Sequence, residues 1–521
     1  MGKVFEQKIK RFDGGIKNDP RDPRENTCRV VTNFNILTNP YKMTPYRESE
    51  SGDTSSSTQQ IQNFLIANNG TSEKLYGLGV QADPNQTRAR LFEKALTTGG
   101  SQDLSDQTWT ASVNGQTGQA TTSFNLFVYY RRTGLIYGAH TGTHIWAFDP
   151  AGGAIADTSQ ALTYTTVFQG LVHSKDDILY IPYYSSTGSF IARNNNGSWN
   201  NTALTLPRDY IPVSICEYGN FLAIGCSPRS GVGNSVIFLW DRDSSLATLS
   251  ESIDAGSGVL VILEEVGGDL IWISQQGGTD TSGLNIPGSI SFQDKVVFRR
   301  YLGGNQSEII QELRGGANTT LLPISKQVVD NRLYFMMYIS LAGAVREGTW
   351  SIGRNQEGRY ALVHERTPNN DTALTSSLDL HGAFIVGDYL FQSYTTGGTV
   401  SMSKTNDQNE YDLTAIWESK IFDGGDSSLK KKLLGVTLHT EFLPTGASCV
   451  AAYKMDNETS FTTILTHNTA AAISDSAVNI ESSGAALPEF KEIQFRIEST
   501  DGAEITGLSF TYEVTGKRNY E

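Results

Sequence analysis

The sequence predicts an all-β protein: a β-propeller of about seven blades, preceded by an extended N-terminal arm and followed by a C-terminal β-sandwich. Three observations lead there. The first is a motif that recurs seven times, a turn signal of Gly, Asn or Asp followed closely by a short apolar run. Its copies are Lys74-Leu75-Tyr76-Gly77, Leu135-Ile136-Tyr137-Gly138, Ile178-Leu179-Tyr180-Ile181, Phe221-Leu222-Ala223-Ile224, Leu270-Ile271-Trp272-Ile273, Arg332-Leu333-Tyr334-Phe335 and Tyr389-Leu390-Phe391-Gln392. An aromatic residue fills the third place in every copy but the fourth, where Ala223 stands. The intervals of roughly 43 to 62 residues match a four-stranded blade with loop insertions. The second observation is that single repeats read as strand, hairpin and strand. The third is that no segment sustains a 3.6-residue apolar period over helix length.

The blades follow in chain order. In the fourth repeat, Val213-Ser214-Ile215-Cys216 precedes the turn Gly219-Asn220, and Phe221 to Cys226 and Val236-Ile237-Phe238-Leu239-Trp240 follow. The fifth has apolar segments at 259–264, 270–274, 295–301 and 309–313 around Gly268-Asp269, and the sixth has 327–329, Asp330-Asn331 and 333–339. Gly-Asn, Gly-Asp and Asp-Asn suit the positive φ of tight hairpin turns. A repeated antiparallel unit cannot bury its own faces and must stack on copies of itself. An ordinary β-sandwich with chance likeness between hairpins is the competing arrangement.

The chain changes character outside the repeats. Residues 1–63 form a polar, turn-rich arm with Asn18-Asp19-Pro20-Arg21-Asp22-Pro23-Arg24 and a low-complexity stretch at 49–60. With little core of its own, the arm is expected to dock on the propeller or on a neighbouring subunit. The propeller is placed at 64–416. From 417 to 521 the blade pattern stops and alternating segments take over, as in Gln494-Phe495-Arg496-Ile497-Glu498, where every second residue is apolar. This stretch predicts the sandwich.

Composition narrows the function. The 521 residues include 51 Gly, 22 Tyr and 23 Phe and can bury a substantial core in two or three domains. No apolar run is long enough to cross a bilayer, and the start lacks the apolar core of a secretion signal. Cys28, Cys216, Cys226 and Cys449 are too few for a disulfide framework; Cys216 and Cys226 are candidates to face each other across a hairpin, with buried free thiols the favoured state. The net charge of -14 argues against a protein that clings to nucleic acid, yet an acidic wall past which DNA slides is compatible with it. Basic clusters at Arg131-Arg132, Arg299-Arg300 and Lys430-Lys431-Lys432 read as solvated surface or subunit contact.

Two short ends carry a resemblance. Lys10-Arg11-Phe12-Asp13-Gly14-Gly15 with Asn18-Asp19-Pro20-Arg21, and Ser419-Lys420-Ile421-Phe422-Asp423-Gly424-Gly425-Asp426 with the Lys430 to Lys432 run, Phe495-Arg496-Ile497-Glu498 and Gly507-Leu508-Ser509-Phe510, resemble tail hub and nozzle proteins of tailed bacteriophages. The resemblance implies a propeller joined to smaller β-domains, with several copies, commonly six, in a ring below the portal. It implies portal, adaptor and other tail proteins as partners, transient passage of DNA, no membrane insertion, and a virion location after synthesis in the host cytoplasm. It supplies no catalytic residue.

The residues themselves assign no catalytic, cofactor-binding or metal-binding position, so the expectation is a structural protein and not an enzyme. The segment Ser101-Gln102-Asp103-Leu104-Ser105-Asp106-Gln107-Thr108-Trp109 approaches a sialidase Asp-box, with one residue too many and Ser in place of Gly. Acidic pairs for a glycosidase cannot be chosen from linear sequence. His140 and His144 flank a Thr-Gly turn without the helix and glutamate of a zinc protease, and His173, His364, His381, His439 and His467 stand alone. Asp241-Arg242-Asp243 lacks the oxygen spacing of a calcium loop, and Gly315-Gly316 lacks the Lys of a phosphate loop. Asn-x-Ser/Thr triplets read as polar turns. Loop aromatics such as Trp109 and Trp199 open an alternative, a tail protein that binds host-surface carbohydrate; a propeller glycoside hydrolase comes third.

Overall fold

The computed structural model describes residues 3–17, 26–47, 49–51, 59–83, 86–96, 110–114, 126–139, 144–152, 155–162, 164–229, 233–243, 249–276, 295–315, 320–341, 344–368, 378–396, 399–405, 411, 414–469, 475–479 and 488–515. The low-complexity run, the Asp-Pro-Arg repeats, the Asp-box-like segment and the turn between His140 and His144 lie wholly or mostly outside them. The chain divides into a large unit, 50–349 with 373–405, and a small unit, 1–49 with 350–372 and 406–521.

The large unit is a succession of antiparallel sheets, each laid down strand beside strand in chain order. The first sheet runs Gln59–Asn68, Glu73–Asp83, Gln86–Ala95 and Thr110–Asn114; the second Phe127–Tyr130, Leu135–Ala139, His144–Phe148 and Ile155–Ala161. In the third, Thr166–Val167 and Leu171–Val172 together form the inner strand beside Leu179–Ser185, then Gly188–Asn195 and Ser198–Leu206. The fourth has Tyr210–Tyr218, Phe221–Pro228, Asn234–Trp240 and Glu251–Ser257; the fifth Val259–Val266, Asp269–Gln276, Lys295–Gly303 and Gln306–Arg314. The sixth begins Thr320–Val329, Arg332–Leu341 and Ala344–Arg354, the last of which continues into the small unit. The seventh has Asp379–Val386, Tyr389–Thr396 and Thr399–Thr405, and its fourth strand is Ser49–Ser51, from the other end of the unit's sequence.

Contacts between neighbouring sheets run in a circle. Inner strand Gln59–Asn68 touches Phe127–Tyr130, which touches Leu171–Val172; Leu179–Ser185 touches Tyr210–Tyr218; then Val259–Val266, Thr320–Val329 and Asp379–Val386 follow, and the last returns to Gln59–Asn68. The fold is a β-propeller. Its core is divided among the gaps between sheets. One apolar cluster joins the first and second sheets through Tyr76, Leu78, Trp146 and Phe148, and another joins the seventh to the first through Val386, Phe391, Phe64 and Phe92.

The repeated motif falls on the second strand of every sheet. Tyr76, Tyr137, Tyr180, Ala223, Trp272 and Phe391 are all buried there. Several meet an aromatic ring of the next sheet edge-on: Tyr76 on Phe148 at 6.0 Å, Tyr137 on Trp199 at 5.8 Å and Tyr180 on Trp240 at 5.7 Å between centroids. Such pairs bury large apolar area and also fix the angle between sheets. In the cluster that holds Ala223, the large ring comes from Trp272, whose indole N–H donates to the Ala255 carbonyl at 3.0 Å. The Asp330-Asn331 turn has both residues at positive φ, 50° and 59°. In the fifth sheet the turn is Gly267-Gly268, at 57° and 90°, and Asp269 already starts the strand, one residue earlier than the sequence implied.

The small unit contains the chain's N-terminal segment as strands. Val4–Ile9 pairs antiparallel with Ile505–Val514, which continues to Lys431–Thr440 and Asp475–Asn479. Cys28–Thr32 pairs antiparallel with Ala415–Ser419 and parallel with Tyr360–Arg366; Ile493–Thr500, Ser448–Met455 and Thr462–His467 extend that sheet. Phe495 and Phe510, from the two sheets, meet at 4.6 Å. The segment expected to dock on the propeller or on a neighbouring subunit is, in these stretches, built into the small unit: Phe12, Ile16, Cys28, Val30 and Val31 are buried, and strand pairing with the C-terminal segments gives it a core.

The seam between the seventh and first sheets depends on Gly382. A Cβ there would stand 2.6 Å from the Gln62 carbonyl oxygen. The substitution Gly382→Ala should therefore cost about 1–3 kcal/mol by forcing the two inner strands apart, measured by chemical denaturation. A wild-type midpoint would show that the strands do not approach as described.

Candidate functional site

The inner strands of the large unit surround a central pocket of about 370 Å³. Residues of all seven sheets line it, among them Asn63, Phe127, Gln169, Ile215, Glu264, Lys326 and Phe384. An inner strand has a neighbour along one edge only, so its other edge presents unpaired N–H and C=O groups. Buried backbone polar groups must find partners. Register shifts interrupt the inner strand at Ile61/Asn63, Pro212/Ser214, Leu260/Ile262, Leu321/Lys326 and Leu380/Gly382. In the third sheet the strand itself is divided around Gln169.

Side chains near these interruptions bond to the backbone of neighbouring inner strands. Gln169 accepts from the Phe127 N–H at 3.2 Å and donates to the Phe127 carbonyl at 2.8 Å, as a paired strand residue would. It also accepts from Asn63 at 3.3 Å. Gln327 does the same to Ile385, accepting from its N–H at 2.7 Å and donating to its carbonyl at 2.9 Å. Ser214 accepts from the Leu263 N–H at 3.2 Å, and Ser325 from that of Ala383 at 3.3 Å. Lys326 ties three sheets: its ammonium donates to Ser214 Oγ and the Leu263 carbonyl, each at 3.0 Å, and pairs with Glu264 at 2.6 Å. Its side chain is only 9% exposed, so the pair is poorly screened. The ionic pair in the pocket is thus a structural tie.

The sequence-derived candidates are distributed elsewhere. Burial pushes all four thiols up, Cys449 to about 12, and none forms a disulfide. Cys216 and Cys226 do not face each other: Cys216 lies opposite Ala223 and Cys226 opposite Pro212. His173 does not stand alone. Fully buried, it contacts Asp176 at 3.0 Å and the Arg242 guanidinium, and lies 4.0 Å from Glu217. Residues remote in sequence assemble this cluster, which no local motif announces. The Asp241-Arg242-Asp243 segment is a turn in which Asp241 accepts from the Asp243 N–H at 3.0 Å and Arg242 supplies a cation to Asp176 at 3.2 Å. Trp199 leans on the cluster between the second and third sheets, covering its edge. Trp109 lies outside the described residues.

In the small unit, both Phe-Asp-Gly-Gly segments are folded turns. Phe12 packs edge-on against Trp417 at 5.6 Å, and Asp13 is buried with Arg11 and Asn26 bonded to it. A Cβ on Gly14 would strike the Asn26 carbonyl at 2.5 Å, and Gly15 takes a φ of 70°. Asp423 accepts from the Gly425 N–H at 2.9 Å, with Gly424 and Gly425 at 60° and 83°. The Lys430 to Lys432 run is not uniformly solvated surface. Lys430 and Lys432 approach Glu489, whereas Lys431 is buried and donates to the carbonyls of Asp426, Leu429 and Lys491. The same spacing places alternate residues of a strand on opposite faces.

No protein-family model matches the sequence, and no curated protein does. Similar solved structures include the β-propeller domain of Cps50 (Swd1) from Myceliophteria thermophila, 8% identical, covering 68% of this chain and 99% of that one, with a TM-score of 0.41. The β-propeller domain of the Trilobed protease from Pyrococcus furiosus is 8% identical over 67% of this chain and 96% of that one, TM-score 0.37. A structure described as a glycoside hydrolase is 10% identical over 87% and 97%, TM-score 0.28. The propeller assignment rests on strand order and the circle of contacts.

Replacing Lys326 by Met should leave the Glu264 carboxylate without its cation and cost about 3 kcal/mol. Pairing it with Glu264→Leu should recover a large part of that loss, read as a coupling energy in a double-mutant cycle by urea denaturation. Additive losses would mean that the two groups do not act as a pair.

Proposed function

We propose that this chain is a non-enzymatic structural component of a phage virion, a tail hub or nozzle protein that works as one of several copies in a ring. The observation that carries the reading is the use of polar side chains at the propeller centre. Lys326, Glu264, Gln169, Gln327 and Ser214, the groups best placed to do chemistry there, are occupied in tying strands together. Two Phe-Asp-Gly-Gly turns, the segments that carry the family resemblance, likewise serve packing and hydrogen bonding.

The pocket also bears on how DNA would pass. At about 370 Å³ it has the volume of a small-molecule site, far below what a duplex with a major groove alone about 12 Å wide requires. A conduit must then be formed between copies, by a head-to-tail interface that closes into a ring. The chain's net charge of -14 favours passage over retention.

Sizing of the purified chain by light scattering, alone and mixed with portal and adaptor proteins, tests the proposal. A discrete multimer, or a co-assembled complex of fixed stoichiometry, is expected. A monomer under both conditions, over a concentration range reaching that of virion assembly, would overturn it.

A further inference from the structure

We propose that the central pocket of the large unit binds one carboxylate-bearing sugar residue, a uronic acid or a similar acidic monosaccharide. Most polar groups of the pocket are already spoken for, which makes the remainder informative. Among the described residues, Arg131, which is exposed, and Gln62, which is half-buried, line the pocket and have no hydrogen-bond or ion-pair partner for their side chains.

The chemistry of the lining defines the ligand. A guanidinium fork matches a carboxylate in two parallel hydrogen bonds. Glu264 does not oppose that charge, because Lys326 neutralises it at 2.6 Å. Gln62 offers one acceptor and two donors, suited to hydroxyl groups. Phe384, partly buried and stacked near-parallel on the buried Phe64 at 6.2 Å and 23°, supplies an apolar wall for the C–H face of a sugar ring. A volume of about 370 Å³ lies at the lower end of the range for small-ligand sites and accommodates a single ring. A purely apolar acid would leave Gln62 unused, and a neutral sugar would leave Arg131 without a counter-ion.

Isothermal titration of the intact chain with D-glucuronate, methyl β-D-glucuronide, D-glucose and acetate tests the inference. The glucuronide arm represents the end of a longer glycan and the free acid a soluble metabolite; the tighter of the two identifies the source. At least one should bind saturably and at least tenfold more tightly than glucose or acetate. Arg131→Gln should weaken it at least tenfold and Gln62→Ala several-fold, in variants that elute and melt as the parent does. The inference is overturned if neither uronate exceeds glucose and acetate, or if Arg131→Gln binds equally well. Oligomeric state is followed in the same samples, so a failure to bind leaves the ring proposal untouched, and a monomer that binds glucuronate overturns only the ring.

Discussion

The free edges of the inner strands are the constraint on which the large unit turns. A propeller brings one unpaired strand edge from every sheet toward its centre, in a space too small for those edges to be fully hydrated. The sequence meets the problem with side chains that imitate a strand. Gln169 and Gln327 each offer a carboxamide to both backbone groups of one residue on a neighbouring inner strand, and Lys326 reaches carbonyl, hydroxyl and carboxylate at once. Each bond to a neutral partner contributes about 1 kcal/mol net, but leaving the buried group unsatisfied costs up to about 3 kcal/mol. The asymmetry explains why polar residues occupy an otherwise apolar centre.

Closure is the second condition. The seventh sheet takes its fourth strand, Ser49–Ser51, from the beginning of the large unit's sequence, and the cluster around Phe391, Phe64 and Phe92 seals the same seam from within. Neither alone defines the geometry: the strand fixes register, and the cluster excludes water. Gly382 lets the two inner strands approach as closely as these contacts demand. The small unit uses the same device more locally, drawing Val4–Ile9 and Cys28–Thr32 from the chain's start into sheets completed by its end.

Much of the propeller was legible because its signal is local. Tyr76, Tyr137, Tyr180 and Trp272 mark the second strand of their sheets, where a large ring must fill the gap to the neighbour, and a turn at positive φ announces the strand before it. The central ties were not legible. Lys326 and Gln327 look like any polar pair in a strand, and only the register shift at Leu321/Lys326 brings them onto the neighbouring edges. The His173 cluster was hidden for a related reason, since Asp176, Glu217 and Arg242 meet only once two sheets are stacked. The membership of residues 350–372 in the small unit also has no compositional marker, because a strand passing from one unit to another carries one continuous pattern.

Amide hydrogen exchange resolved to single residues tests the claim of side-chain pairing most directly. Phe127, Leu263 and Ile385 have their N–H groups bonded by Gln169, Ser214 and Gln327. If those bonds hold the centre together, the three amides exchange only with global unfolding, at the rate of interior strand amides. Exchange at the rate of exposed loops, under conditions in which the second strands stay protected, would contradict the account.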